Sequence, residues 1–264
     1  MGLSNLLSSL KSKTDYIPDY GIDAPDLVKF FFMSGTVALV VFVGTLLSSI
    51  LGETLRIIIA ILSGIVASYL LGMGCFMVYF SKIAKLKESE KLLNLIQWCG
   101  DEQVLDVGCG RGLMLIGSAK RLTTGKAIGI DIWQQEDQAD NSSAATFANA
   151  AIEDVAERIE VKTADMRELP FPENSFDIII SNWTVHNLEM EGDRQKALDE
   201  IIRVLKPKGM VVLADIANQA EYARHFELRG MLNVQLHNQP IRDLVLKAIS
   251  FGSFAPSAVS AVKG

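Results

Sequence analysis

Two neighbouring stretches without a charged side chain, Phe30 to Gly52 and Ile57 to Ser81, constrain this chain more than any other feature. A hydrocarbon core is crossed by roughly 20 apolar residues, and each stretch is longer than that. Only Glu53, Thr54, Leu55 and Arg56 separate them. The pair therefore predicts a tight helical hairpin over residues 28–81, with transmembrane helices over about 30–52 and 57–81. The alternative is two core helices of a large soluble protein, which are seldom so long and so devoid of charge. A cleaved signal peptide fits less well, because the first run starts late and a second follows directly.

Flanking charge sets the expected orientation. Lys82, Lys85 and Lys87 follow the second run, while the link carries one Glu and one Arg. Lysines favour the cytoplasmic side, so the second helix should exit there, and two crossings return the N-terminal segment (1–27) to the same side. That segment is mixed in sign, with Lys11, Lys13 and nearby Lys29 set against Asp15, Asp19, Asp23 and Asp26. Small residues recur at every fourth position: Gly44, Ser48 and Gly52 on the first helix, Ala60, Gly64, Ser68 and Gly72 on the second. Such stripes let helix backbones approach closely. They predict packing within the hairpin, with homo-oligomerisation through the stripe as the second reading.

Past a linker or helix over 82–99 the pattern changes. Apolar runs shorten, and charged helical stretches and Gly/Pro breaks separate them. Val104–Val107, Ala127–Ile130, Ile159–Val161, Phe176–Ser181 and Met210–Ala214 read as strands; Gly112–Leu122, Ala144–Ala156 and Arg194–Leu205 read as helices. Two further antiparallel strands are expected near Val234–Leu236 and Ala255–Val262. This alternation predicts an α/β domain over 100–264, with a doubly wound, mainly parallel, seven-stranded Rossmann-like sheet behind two transmembrane helices. The net charge of −6 argues against a nucleic-acid partner. The three cysteines are too scattered for a disulfide framework or zinc site, and His186, His225 and His237 share no ligand spacing, so no metal is expected.

The most informative motif is Val104-Leu105-Asp106-Val107-Gly108-Cys109-Gly110-Arg111-Gly112, running into an apolar helix. Glycines there let the chain turn sharply and let a ligand approach the backbone. The spacing is Gly-x-Gly-x-Gly, not the dinucleotide Gly-x-Gly-x-x-Gly. A second strand-end acid, Asp131, follows at the interval of one helix and one strand. Taken singly, Asp106 reads equally well as a helix cap and Asp131 as a solvated turn residue.

From Gly100 to Met210 the sequence resembles the class I S-adenosylmethionine-dependent methyltransferases, especially the small-molecule branch that includes quinone-biosynthesis enzymes. The resemblance implies that Gly108, Cys109, Gly110 and Gly112 wrap the methionine part of S-adenosyl-L-methionine, and that Asp106 helps hold its ammonium group. It implies that Asp131, with Ile132 beside it, receives the ribose hydroxyls, that Asp165 and Met166 line the adenine, and that Asn182 lies against the cofactor. Arg203 to Gly209 is similar to the family's turn before the fifth strand, except that Lys208 stands where glycine is frequent.

The same resemblance places acceptor-facing residues after the fourth strand, between Ser181 and Leu188. His186 is the candidate general base or acceptor hydrogen bond, since an unperturbed histidine titrates near neutrality; a packed or capping histidine is the alternative. The polar loop Trp133 to Asn141 is a second candidate for pocket or lid, with Trp133 beside the adenine as one option. The expected protein is an integral membrane methyltransferase, its catalytic domain facing the cytoplasm, acting by in-line displacement on a small lipophilic acceptor drawn from the bilayer. The alternative is a membrane-tethered cofactor-binding assembly protein without turnover. A nicotinamide-dependent reductase fails on the glycine spacing and on the lack of a tyrosine followed four residues later by lysine.

Overall fold

A computed structural model describes residues 17–252, 254 and 256–264. Lys11, Lys13 and Asp15 of the N-terminal segment, and Ala255 at the expected start of the last strand, lie outside the described residues. The chain divides into two compact units. Tyr20–Lys87 groups with Gln134–Asn141 as a hairpin unit, and the described residues of Glu88–Trp133 and Ser142–Gly264 group with residues 17–19 as a sheet unit.

In the hairpin unit, α1 (Pro25–Leu47) and α2 (Glu53–Tyr79) are joined by a short link and followed by a π-turn at Phe80–Ala84. The first helix begins and ends about five residues earlier than its uncharged run. Pro25 is preorganised for the first turn, and extended backbone at Ser48 stops the helix. Hydroxyls inside the apolar runs bond back to their own helices: Thr36 to the Phe32 carbonyl, Thr45 to Val41, Ser63 to Ile59 and Ser68 to Gly64. That removes the cost of carrying them through an apolar medium.

The packing seam differs from the expected stripe. Val28, Gly35 and Thr45 are buried on α1, and Ala60, Ala67 and Gly74 on α2. A Cβ at Gly35 would meet Leu71 at 2.8 Å, and one at Gly74 would meet Phe32 at 3.1 Å. Gly44, Gly52 and Gly72 have nothing within 4 Å of such a Cβ. Of the predicted stripe only Ala60 and Gly64 (which faces Phe42 at 3.2 Å) lie at the contact. The reason is helical geometry. A four-residue repeat drifts roughly 40° around the helix per step, whereas a seven-residue repeat drifts only about 20° and keeps facing its neighbour.

At the base of this unit Lys85 is buried, donating to the Tyr20 carbonyl at 2.8 Å and to Asp23 at 3.0 Å. One of the three lysines behind the orientation argument is thus neutralised by Asp23. The Gln134–Asn141 loop is held to the same segment by backbone bonds: Ala24 N–H to Asp137 O at 2.9 Å and Ala139 N–H to Ile22 O at 3.0 Å. The loop lies as a strap along residues 22–24.

After α3 (Lys85–Leu93), the sheet unit runs β1 (Gln103–Val107), α4 (Leu113–Ala119), β2 (Lys126–Asp131), α5 (Ser143–Ile152), β3 (Ile159–Thr163), β4 (Phe176–Asn182), α6 (Glu191–Val204), β5 (Leu205–Asp215), α7 (Gln219–Leu228), β6 (Leu232–His237), α8 (Pro240–Ile249) and β7 (Ser257–Val262). The spatial order is β3-β2-β1-β4-β5-β7-β6. The first five are parallel, and β7 is antiparallel to both β5 and β6. All seven predicted strands are present, with shifted ends. The helices α7 and α8 carried no expectation.

Strand residues alternate between faces. Leu105, Val107, Ile179, Val211 and Leu213 enter a core closed by Leu198, Ile201 and Val204 of α6 and by Tyr222 and Phe226 of α7. Gly129 pairs with Asp106, and a Cβ added to it would strike Leu115 of α4 at 2.8 Å, so α4 lies on the other face. Helices cover both sides, as a doubly wound sheet requires. Lys208 adopts φ +66°, the left-handed conformation for which glycine is the default.

Candidate active site

In an open α/β sheet, ligands bind beyond the carboxyl ends of the strands where the strand order reverses. Here that point lies between β1 and β4, and the turn after β1 and the loop after β4 close on each other across it. Gly108, Gly110 and Gly112 all have positive φ (74°, 50° and 90°). Gly108 and Cys109 both donate to the Ile130 carbonyl at the end of β2 (2.8 and 2.9 Å), and Thr146 of α5 donates to the Gly110 carbonyl at 2.7 Å. Thr184, from the loop after β4, fills the place a Gly108 side chain would take: an added Cβ would lie 2.1 Å from its methyl. Gly108→Ala should therefore lower stability by about 1–3 kcal/mol, measured by chemical denaturation, and Thr184→Gly in the same chain should recover part of the loss.

Asp106 is buried beneath this turn, and its Oδ2 has no hydrogen-bond partner among the described residues. Burial, and then the neighbouring charge of Asp131, push its pKa up to about 8, against a backbone hydrogen bond involving Leu115. Cys109 is also buried, and desolvation with the two nearby carboxylates raises its thiol pKa well above the usual range; it stays a neutral packing group.

Asp131 accepts the Gly110 N–H at 2.8 Å and the Trp133 N–H at 2.6 Å, so it fixes the glycine turn to the end of β2. Ile132 is exposed next to it. Trp133 holds its indole N–H on Thr163 at 2.8 Å, at the end of β3. Asp165 is engaged by Arg167 at 2.6 Å, and Arg167 also reaches Asp193 at 3.1 Å. The hydrogen bond from Arg167 lowers the Asp165 pKa. Met166 packs partly against the core. Asn182 ends β4, half-buried, its carbonyl accepting from Thr184 at 3.2 Å.

Asp19, Asn149, Asp215 and Tyr222 carried no site expectation, and the fold brings them here. Asp19 accepts a bond from Arg111 Nε (2.7 Å) through its carbonyl, and exchanges two bonds with the Asn149 amide (3.0 and 2.9 Å), pinning the chain to the glycine turn. Asp215, at the end of β5 and only 1% exposed, lies under His186. Its Oδ2 accepts the His186 backbone N–H at 3.0 Å and the Tyr222 hydroxyl at 3.1 Å. His186 Nδ1 is 2.5 Å from Asp215 Oδ1, close enough for an ion pair though not aligned as a hydrogen bond. Adjacent parallel strands thus deliver a histidine and a buried acid to one point.

This strand order, with a glycine turn after β1 and an acid after β2, is the fold of the class I S-adenosylmethionine-dependent methyltransferases. Geranyl diphosphate C-methyltransferase from Streptomyces coelicolor superposes with a TM-score of 0.56 over 71% of this chain and 83% of its own, at 15% identity. Residues 105–213 match the family described as "Methyltransferase domain". A demethylmenaquinone methyltransferase of Symbiobacterium thermophilum is 31% identical over 112 residues, covering 42% of this chain and 41% of its own. The sterol 4-C-methyltransferase strm-1 of Caenorhabditis elegans is 29% identical over 143 residues, covering 52% and 40%. The chain spans half or less of the length of the curated relatives it matches. Over residues 105–213 the chain is similar to the methyltransferase-domain family, a match that spans less than half of its length.

Proposed function

We propose that this protein is a membrane-anchored methyltransferase that transfers a methyl group from S-adenosyl-L-methionine to a small lipophilic acceptor, with the sheet unit on the cytoplasmic side. The observation that carries the cofactor half is the buried, unpartnered oxygen of Asp106 beneath three left-handed glycines. A cationic ammonium fits that oxygen, and the glycines leave backbone open to a ligand. When bound, S-adenosylmethionine supplies an electrophilic methyl group on a sulfonium.

This chain's residues would then divide the work. Asp106 holds the amino end; Gly108, Cys109, Gly110 and Gly112 shape the turn; Asp131 and Ile132 flank the ribose; Asp165, Met166 and Asn182 border the remainder. His186 takes the acceptor's proton at Nε2 where the acceptor must lose one, with Asp215 beside Nδ1 and holding the residue through its backbone N–H. Positioning and exclusion of water supply the rest of the acceleration.

Anchoring is supported by how little of the two helices is buried. Only 11% of the most apolar window of the first, and 22% of that of the second, is covered within the described residues, which is not how core helices of a soluble protein sit. The named acceptors of the relatives, demethylmenaquinone and a sterol, are lipophilic, as a bilayer-facing enzyme would require.

The test is incubation of the full chain, reconstituted in vesicles, with methyl-labelled cofactor and either native lipid extract or soluble small molecules, followed by mass spectrometry. Label in a lipid-extractable product is the expected result; label confined to soluble acceptors would discard the lipophilic assignment. No label anywhere, with cofactor binding intact, would favour a binding protein without turnover.

A further inference from the structure

A surface helix in water normally turns its apolar side inward. Helix α8 does the reverse over most of its surface. Ile241, Leu244, Val245, Ala248 and Ile249 recur at the spacing of a single helical face, and that face is exposed, with Ile241 83% and Leu244 70% accessible. Phe251, just beyond the helix, is 84% exposed. The inward side is held by polar clamps. The Arg242 guanidinium bonds Glu88 at 2.9 Å and the Pro256 carbonyl at 2.5 Å, besides the neighbouring Asp243 of its own helix. Leu246 is the buried aliphatic of the helix.

The sheet's topology fixes where this face lies. β6 runs parallel to β5, because both are antiparallel to β7, and His237 at its end is level with Ala214 through Ala258. α8 therefore leaves the sheet at the edge that carries His186 and the glycine turn. The segment returning from it places Phe254 edge-on against Trp183, 5.6 Å between ring centres, three residues before His186. An apolar helix is thus joined by an aromatic contact to the loop that faces the acceptor.

We propose that α8 is a bilayer-docking surface of the sheet unit: its outward apolar face enters the boundary between headgroups and acyl chains, at the edge where a lipophilic acceptor must arrive. The inference rests on the membrane-anchored reading above. The occupant follows from the chain itself. Glu88, the residue that Arg242 grips, comes seven residues after Ser81, the end of the second uncharged run, so a chain anchored by that run keeps α8 beside a bilayer. An amphipathic helix with an aromatic at its end is suited to lie in that plane with its apolar face roughly 5–10 Å deep.

The experiment uses the full chain with the exposed Cys75 and Cys99 changed to Ser and the buried Cys109 retained. An environment-sensitive fluorophore is attached in separate variants at Leu244→Cys, at Val37→Cys in the hairpin, and at Glu173→Cys on the opposite sheet edge. Each is reconstituted in phosphatidylcholine–phosphatidylglycerol vesicles carrying lipid-borne spin labels. The expected result is a blue-shifted Leu244 label, quenched more strongly from near the headgroups than from mid-chain, with the Glu173 label unaffected. A Leu244 label that stays water-exposed while the Val37 label is quenched overturns this inference and leaves anchoring standing. A Leu244 label that is buried but untouched by lipid quencher, and sensitive to protein concentration, overturns it in favour of a protein partner or second copy. Failure of quenching at Val37 instead removes the anchoring on which it rests.

Discussion

Asp106→Asn should weaken S-adenosylmethionine binding by about 30-fold or more at neutral pH, the consequence of losing a buried charge partner worth roughly 2–5 kcal/mol. The low end applies because the wild-type carboxyl must first ionise. With its pKa at about 8 it is mostly protonated at pH 7 in the absence of a cation. Binding an ammonium against it should release most of a proton per cofactor at that pH, measurable by calorimetry in buffers of different ionisation enthalpy. The asparagine variant should release none. Equal affinity in the two proteins, or cofactor binding without proton release in the wild type, would remove Asp106 from the site.

The same group makes a separable prediction about stability. The folded carboxyl keeps its proton to about pH 8, whereas an unfolded one releases it near 3.8. Between those values the folded state binds more protons, so wild-type stability without cofactor falls as pH rises from about 4 to about 8. Asp106→Asn should flatten that slope, which a series of denaturation curves across the window would reveal.

The second large effect is expected at the end of β4. His186→Ala should reduce kcat by about 10²–10⁴-fold, leave cofactor affinity within a factor of about two, and be partly rescued by added imidazole. Asp215→Asn should also lower kcat, because the ring loses the acid beside its Nδ1, and imidazole should not rescue that variant. Unchanged kcat in His186→Ala would return the residue to the alternative reading of a packed histidine. Tyr222 shares the Asp215 carboxylate at 3.1 Å, and burial together with that charge raises its hydroxyl pKa. Tyr222 therefore stays protonated as a donor that steadies Asp215.

Much of this was legible along the chain because it depends on neighbours in sequence. A strand, a glycine turn and a helix are local events, and all seven strands were found from short apolar runs. The uncharged hairpin runs were equally plain. The departures have local causes too: Ser48 took extended backbone and ended α1 early, and a helical repeat of seven rather than four defined the seam through Gly35, Ala67 and Gly74.

What sequence order could not reveal is convergence. Asp215 lies 29 residues from His186 and meets it only because β4 and β5 are adjacent and parallel. Asp19 meets Arg111 from 92 residues away. Thr184 proved to be the reason Gly108 must be glycine, a fact written in neither residue alone. α8 went unrecognised because its outward apolar face and its inward Arg242 clamp can be told apart only once burial is known. By itself the sequence determined the seven strands and the glycine turn after β1, since those follow from local backbone preference and periodicity. Tertiary structure decided which acid stands behind the histidine and which apolar face is left uncovered, because both depend on strand order and burial, which no local pattern encodes.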